Sequence, residues 1–281
     1  LTATLNIHAS SIDSFLDCSR RAIADRYPGL LINAGYKVRE TVQYVTGNIG
    51  SGVHAAADFL NQDYIATGNL PTEDMIIAAG EQGFDKFQNL LVKTLEKMDV
   101  KYTAKFPDDG VIRKHIADYA RIYAEVILPT RKLQESEKFF KIPLKDGFQL
   151  TSTADGYGDN TVFDLKSGDL ITPAYAQVGT YVWAFKASGY IVHNVQLDYL
   201  TKAQPGKSSL RDTAHHVVVK YDALECEKIA TYGIARLIGM LEEFQATQDI
   251  HVFPVNPRSA SCNSFYCKLY GTTSCGAWSK E

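Results

Sequence analysis

Residues 152–168 read STADGYGDNTVFDLKSG. The segment GDN is a hairpin signal between two strand-like runs. Asp155 falls at the end of the first of these runs and Asp164 within the second. Adjacent antiparallel strands bring such side chains together. Two carboxylates side by side repel unless a cation sits between them, and Mg²⁺ and Mn²⁺ favour oxygen ligands of this kind. Lys166 lies two residues beyond Asp164, so it projects from the same face of its strand. A lysine there can orient a water or stabilise charge on a phosphate. An isolated D-x-K is ordinarily a solvated hairpin face with a surface ion pair, so the reading depends on what surrounds it.

Outward from the hairpin, residues 137–168 form three short strands separated by KDG and GDN. Residues 172–188 read as a helix, 193–202 and 214–221 as two more strands, and 222–244 as a long helix with an apolar stripe. The N-terminal half is helical in pattern: residues 10–26, then a helix after the Gly-containing turn at 47–52, a third opened by Pro71, and a fourth over 109–134. Residues 253–278 are rich in Pro, Ser, Gly and Cys and lack helical periodicity. There is no internal repeat. This order predicts an α/β core, a mixed β-sheet flanked by helices, inside a helical N-terminal wrapper and followed by a Cys-bearing C-terminal tail.

The chain has 281 residues, 45% apolar and 22% charged, ordinary values for a globular protein of one large domain. No apolar run approaches the ~18 residues of a membrane span. The first residues lack a basic stretch followed by an apolar core, so no secretory signal and a cytoplasmic location are expected. With a net charge of -3, nucleic acid would have to be met by local basic patches. The five cysteines, Cys18, Cys226, Cys262, Cys267 and Cys275, are odd in number and crowd towards the C-terminus. That suits a metal or cluster site in a reducing compartment better than a disulfide framework, with buried free thiols as the alternative.

Four motifs occur in order: Gly50 to His54 (G-x-x-x-H), Asp155-Gly156, Asp164 to Lys166 (D-x-K), and Gln177 to Tyr181 (Q-x-x-x-Y). Together they resemble the RecB-like branch of the PD-(D/E)XK nuclease superfamily over residues 11–275. The resemblance implies a restriction-endonuclease-like core and a single nuclease domain over 1–281. Residues 1–136 would be the wrapper with Cys18 and His54, 137–221 the catalytic core, and 222–281 a helix and tail. It implies that His54, Asp155 and Asp164 bind Mg²⁺ or Mn²⁺, that Lys166 is catalytic alongside the two acids, and that Gln177 and Tyr181 contact DNA. Glu137 opens the first strand, where members of that branch often carry an acid, and is read here as a surface charge.

The segments SIDSFLDCSRRA and CNSFYCKLYGTTSC are similar to those of an iron–sulfur sub-group that includes AddB-type helicase–nucleases and CRISPR-adaptation exonucleases. The resemblance implies a [4Fe–4S] cluster on Cys18, Cys262, Cys267 and Cys275. The spacing here, C-x4-C-x7-C, departs from the sub-group's C-x2-C-x5-C, so structural Zn²⁺ is the alternative. Cys226 reads as a packed thiol. Arg20 and Arg21, with Lys202, Lys207 and Arg211, are candidate phosphate contacts. The activity implied is a metal-dependent DNA exonuclease acting on ends or single strands in recombination, repair or phage DNA processing. A structure-specific endonuclease with the same site and a non-catalytic DNA-binding subunit are the alternatives. With no phosphate-binding loop in the sequence, any helicase would be a separate partner.

Overall fold

The computed structural model describes residues 4–96, 98–145, 147–167, 173–201 and 215–276. The chain opens with strand β1 (Leu5–His8) and helices α1 (Ala9–Asp17), α2 (Ser19–Arg26) and α3 (Pro28–Asn33). The helix expected over 10–26 is therefore broken. Cys18 adopts an extended conformation, φ -148° and ψ 97°, and separates α1 from α2. A two-residue strand, β2 (Gln43–Tyr44), precedes the long helices α4 (Thr46–Thr67) and α5 (Glu73–Leu95). The side chain of Thr72 caps α5 by accepting from the Met75 amide. After β3 (Val100–Lys101), α6 (Asp109–Ile122) begins at the Asp108 cap. The helix expected to reach 134 ends early, through one π turn at Tyr123–Ile127 and a 3-10 turn at Leu128–Thr130 that contains Pro129. Then come β4 (Glu135–Lys145), β5 (Phe148–Gly158), β6 (Thr161–Ser167), α7 (Tyr175–Ala187), β7 (Asn194–Thr201), β8 (His215–Asp222) and α8 (Ala223–Thr247).

Six of the strands form one mixed sheet in the order β1-β5-β6-β7-β8, with β4 on the other edge of β5. Strand β1, absent from the sequence reading, belongs to this sheet. Asp159 and Asn160 both take positive φ, 48° and 56°, as a two-residue type I′ turn requires. That turn sets Gly158 opposite Thr161 and Gly156 opposite Phe163. Beyond this pair β6 leaves β5 and continues in parallel with β7, from Thr161↔Asn194 to Ser167↔Leu200. On the same edge of β5, β1 pairs only from Phe148 to Thr151. Residues 152–155 of β5 thus lack a strand on that edge, and α1 starts where β1 stops. The candidate site residues Asp155 and Asp164 lie at this split.

Helices α4, α5 and α6 cover one face, burying Ile49, Val53, Phe84, Phe87 and Ile116 with Phe163 and Leu165 of β6. Val178, Val182 and Phe185 of α7 pack on the other face with Val162 and Val195. The backbones of α4 and α5 nearly touch. A Cβ on Gly52 would lie 2.7 Å from the carbonyl oxygen of Gly83, so only glycine allows the approach that fixes α4 above the split. Between β7 and the helical layer, Arg131 and Asp198 are fully buried and ion-paired. Tyr123 Oη accepts from Arg131 at 2.8 Å, and Asp198 also binds His216 at 2.6 Å and Gln196 at 3.1 Å.

Candidate active site

Four residues of α4, Gly47, Gly50, His54 and Asp58, recur every three or four positions and so lie on one side of the helix. That side walls an open cleft of about 660 Å³, with Ser10 of α1, Lys86 of α5, Glu137 of β4 and Asp155 of β5 on its other sides. The G-x-x-x-H spacing is thus a helix face. Small residues at one level leave room, and one turn on the imidazole reaches the sheet.

Asp155 occupies the point where β5 and β6 part. One of its carboxylate oxygens accepts from the Leu165 amide at 2.6 Å, and the other bonds His54 Nδ1 at 3.0 Å. The carboxylate therefore satisfies a backbone donor released by the split. Glu137 stands opposite Asp155 across the β4–β5 ladder, between the pairs Ser136↔Gly156 and Lys138↔Ala154. Its φ is +44°, a conformation costing ~1–3 kcal/mol for a non-glycine residue and concentrated at functional sites. Next to it, Ser136 donates to Asp58 at 2.7 Å and accepts from Asn61 at 3.1 Å. His54, Glu137 and Asp155 bring one ligand atom each within 4.8 Å of one another, the one such metal-capable group among the described residues.

The electrostatics follow from crowding three acids beside two cations. Burial disfavours the His54 imidazolium, yet the bonded Asp155 carboxylate, with Asp164 and Glu137 beyond, holds its pKa up at about 9. Burial and the Asp155 charge push Glu137 up to about 7. Asp155, also desolvated, is kept below the usual carboxylate range by His54 and the Leu165 amide. Burial raises Asp164 despite Lys166 beside it.

Asp164, 1% exposed, stands outside the trio. Its Oδ2 is buried without a well-directed hydrogen bond, and Lys166 Nζ lies 2.9 Å away. Lys166 also donates to Gln177 Oε1 at 2.8 Å, and Gln177 Nε2 donates to Tyr181 Oη at 2.5 Å. Gln177 and Tyr181 therefore brace the lysine from within. Tyr181 is 4% exposed, so the geometry offers it to Gln177 and not to a ligand. A buried carboxylate paired with Lys166, near a histidine and two further acids, is a donor set that fits a hard divalent cation.

The structure places Glu137 in the cleft wall, which corrects its reading as a surface charge. Its neighbours in sequence gave no sign of this, because the placement depends on the β4–β5 register and a strained φ. Lys86 was also missed, being an unremarked cation on an amphipathic helix.

The arginines expected to meet phosphates are placed elsewhere. Arg20 is 4% exposed and donates to the carbonyls of Phe253 and Cys275, each at 2.9 Å. Arg21 pairs with Asp17 at 3.2 Å and Asp25 at 3.6 Å. Both tie the N-terminal helices together or to the tail. Lys202, Lys207 and Arg211 lie outside the described residues. Cys18, Cys262, Cys267 and Cys275, with Arg20 and Arg21, line one small cavity of about 10 Å³. No three of these sulfurs lie within 4.8 Å of one another, so they share a pocket without closing into a shell around one ion. Asn256 N–H donates to Cys18 Sγ at 3.4 Å. Cys226 is buried on α8 among the residues packed against α7.

No protein-family model matches the sequence, and no curated protein matches it. Solved structures do. A Eubacterium rectale protein designated a candidate exonuclease superposes with a TM-score of 0.51 at 10% identity, over 92% of this chain and 86% of that one. The two share a fold. An alkaline exonuclease of Laribacter hongkongensis matches over 70% of this chain and 91% of its own at 13% identity, with a TM-score of 0.31, too low to carry an argument. No helix among the described residues is long and apolar enough to cross a membrane.

Proposed function

We propose that the chain is a Mg²⁺- or Mn²⁺-dependent DNA exonuclease that hydrolyses phosphodiesters at ends or in single strands. One observation carries the reading: His54, Glu137 and Asp155 converge at the edge of a cleft beside the Asp164–Lys166 pair. His54, Asp155 and Asp164, with Glu137 added, would hold the cation. A bound divalent ion supplies Lewis acidity towards a phosphate oxygen and acidifies water.

The remaining work falls to the chain itself. Lys166, an ammonium fixed between Asp164 and Gln177, orients the attacking water and stabilises charge accumulating on the phosphate. Gln177 keeps that ammonium from collapsing fully onto Asp164. Lys86, exposed on the cleft wall, is placed to meet a phosphate on the way in. Choosing ends over internal bonds is supported by the fold shared with a protein designated a candidate exonuclease. A helicase or recombination protein would be the natural source of such ends.

The same proposal assigns Cys18, Cys262, Cys267 and Cys275 to a thiolate-bound metal group. Their common pocket supports it. The resemblance of the cysteine segments favours a [4Fe–4S] cluster, with a single Zn²⁺ as the alternative.

The experiment is digestion of end-labelled linear and covalently closed circular DNA with Mg²⁺ or Mn²⁺. Loss of label from linear DNA with the circle intact is the expected result. Cutting of the circle selects the endonuclease reading, and inertness towards both rejects cleavage.

A further inference from the structure

Helix α7 carries Gln177 in its first turn, yet its own N-cap, Ala174, offers no side-chain acceptor. The first N–H groups of a helix need partners from elsewhere. They find one on α1. Asp13 Oδ1 accepts from the Ala176 amide at 3.0 Å, and Asp13 Oδ2 accepts from the Gln177 amide at 2.8 Å. The two residues are more than 160 positions apart in sequence, so this cap is a tertiary contact. An ionised carboxylate at a helix N-terminus, taking two charge-assisted bonds, is the strong form of such a cap. The bonds hold the residue whose side chain holds Lys166, at 2.8 Å. Asp13 also lies on the helix whose Ser10 lines the cleft. Four residues further on, at Asp17, the same segment is anchored to the tail. Ser259 Oγ donates to Asp17 at 2.5 Å, and Asn256 Nδ2 donates to the Asp17 carbonyl at 3.0 Å. The helix that carries Asp13 is therefore anchored to the tail at its C-terminal end.

We infer that Asp13 is a positioning residue for the reaction: by capping α7 from α1, it sets the Gln177 amide that in turn aims Lys166. The inference rests on the nuclease reading above. It separates Asp13 from the carboxylates of the cleft, since the hydrogen bonds of Asp13 go to the α7 amides, while its charge also acts on Lys166. A misplacement of ~1 Å in a catalytic group is enough to cost about 100-fold in rate.

The test is steady-state cleavage of a labelled oligonucleotide in saturating Mn²⁺ by the wild type, Asp13→Ala and Asp13→Asn, with thermal melting of each. Asp13→Ala is expected to lower kcat roughly 10- to 100-fold while KM stays within about twofold, because no substrate-binding group is removed. Asp13→Asn keeps one carbonyl acceptor for the helix amides and should recover most of that loss. An amide resonance of Gln177 that moves upfield in Asp13→Ala, at unchanged melting temperature, is the accompanying signature of the broken cap. If Asp13→Ala fails to fold, Asp13→Ser, whose single short-armed oxygen does not span both amides, carries the test through the same kcat and KM split. Wild-type rates in a folded Asp13→Ala overturn this role alone. A raised KM with unchanged kcat also overturns it, by making Asp13 a substrate-binding group. A wild type with no cleavage in Mn²⁺ overturns the nuclease reading, and this role falls with it.

Discussion

On the proposed metal site, uptake of a cation through His54 and Glu137 would release protons. His54 titrates at about 9 and Glu137 at about 7 in the metal-free site. Each must lose its proton to act as a ligand. At pH 7 a group titrating at about 9 is deprotonated in about 1% of molecules, and one titrating at about 7 in about half. Each ion bound through both groups therefore displaces about 1.5 protons at pH 7. Raising the pH to 8 increases the competent fraction about tenfold for His54 and about twofold for Glu137, so the apparent Kd for Mn²⁺ falls roughly 20-fold. Both folded-state pKa values lie above the unfolded ones. The same shifts therefore stabilise the metal-free fold at low pH, and that stabilisation is lost as pH rises through about 7 for Glu137 and about 9 for His54. The assay is calorimetric titration with Mn²⁺ in two buffers of different ionisation enthalpy, between pH 6.5 and 8.5. Glu137→Gln should lower the proton count to about one while leaving the steep His54 dependence. A Kd that is flat from pH 7 to 8, with heats independent of buffer, would refute the assignment of His54 and Glu137 as ligands.

Three further outcomes test the frame around the site. Gly52→Ala drives a methyl to 2.7 Å from the Gly83 carbonyl and 2.8 Å from Ile116 Cδ1. It should cost about 1–3 kcal/mol in denaturant unfolding and weaken Mn²⁺ binding by shifting His54. Arg131→Met strands the buried Asp198 carboxylate on His216 and Gln196 and should cost ~3 kcal/mol or more, read by the urea midpoint, while Mn²⁺ affinity stays unchanged. Cys18→Ser should strip iron from anaerobically purified protein and lower its melting temperature, whereas Cys226→Ser should do neither. Zinc in place of iron in the metal analysis would keep the thiolate site and reject the cluster.

What could be read from the sequence was what short-range geometry fixes. The Asp159-Asn160 turn sets the β5–β6 register, so the nearness of Asp155 to Asp164 and Lys166 followed from the hairpin alone. Gly50 to His54 followed from helix periodicity. The parts that escaped depend on distant pairings. Glu137 enters the cleft through the β4–β5 ladder and a positive φ that no local pattern announces. Strand β1 has four residues and merges into α1, leaving too little alternation to recognise. Cys18 breaks a helix that periodicity alone would continue. Arg20 has the composition of a phosphate contact, but its guanidinium serves carbonyls more than 230 residues away in sequence. Asp13 was not singled out in the sequence, because its partners lie on α7.

The most direct measurement compares nucleotide release from end-labelled linear DNA by the wild type and Lys166→Ala, both loaded with Mn²⁺ and both shown to be folded. Removing the ammonium leaves the proposed Mn²⁺ ligands in place and withdraws the group proposed to orient water and stabilise charge. The account predicts steady release by the wild type and a loss of about 10²-fold or more in Lys166→Ala, with Mn²⁺ affinity preserved. Equal rates in the two proteins would contradict it.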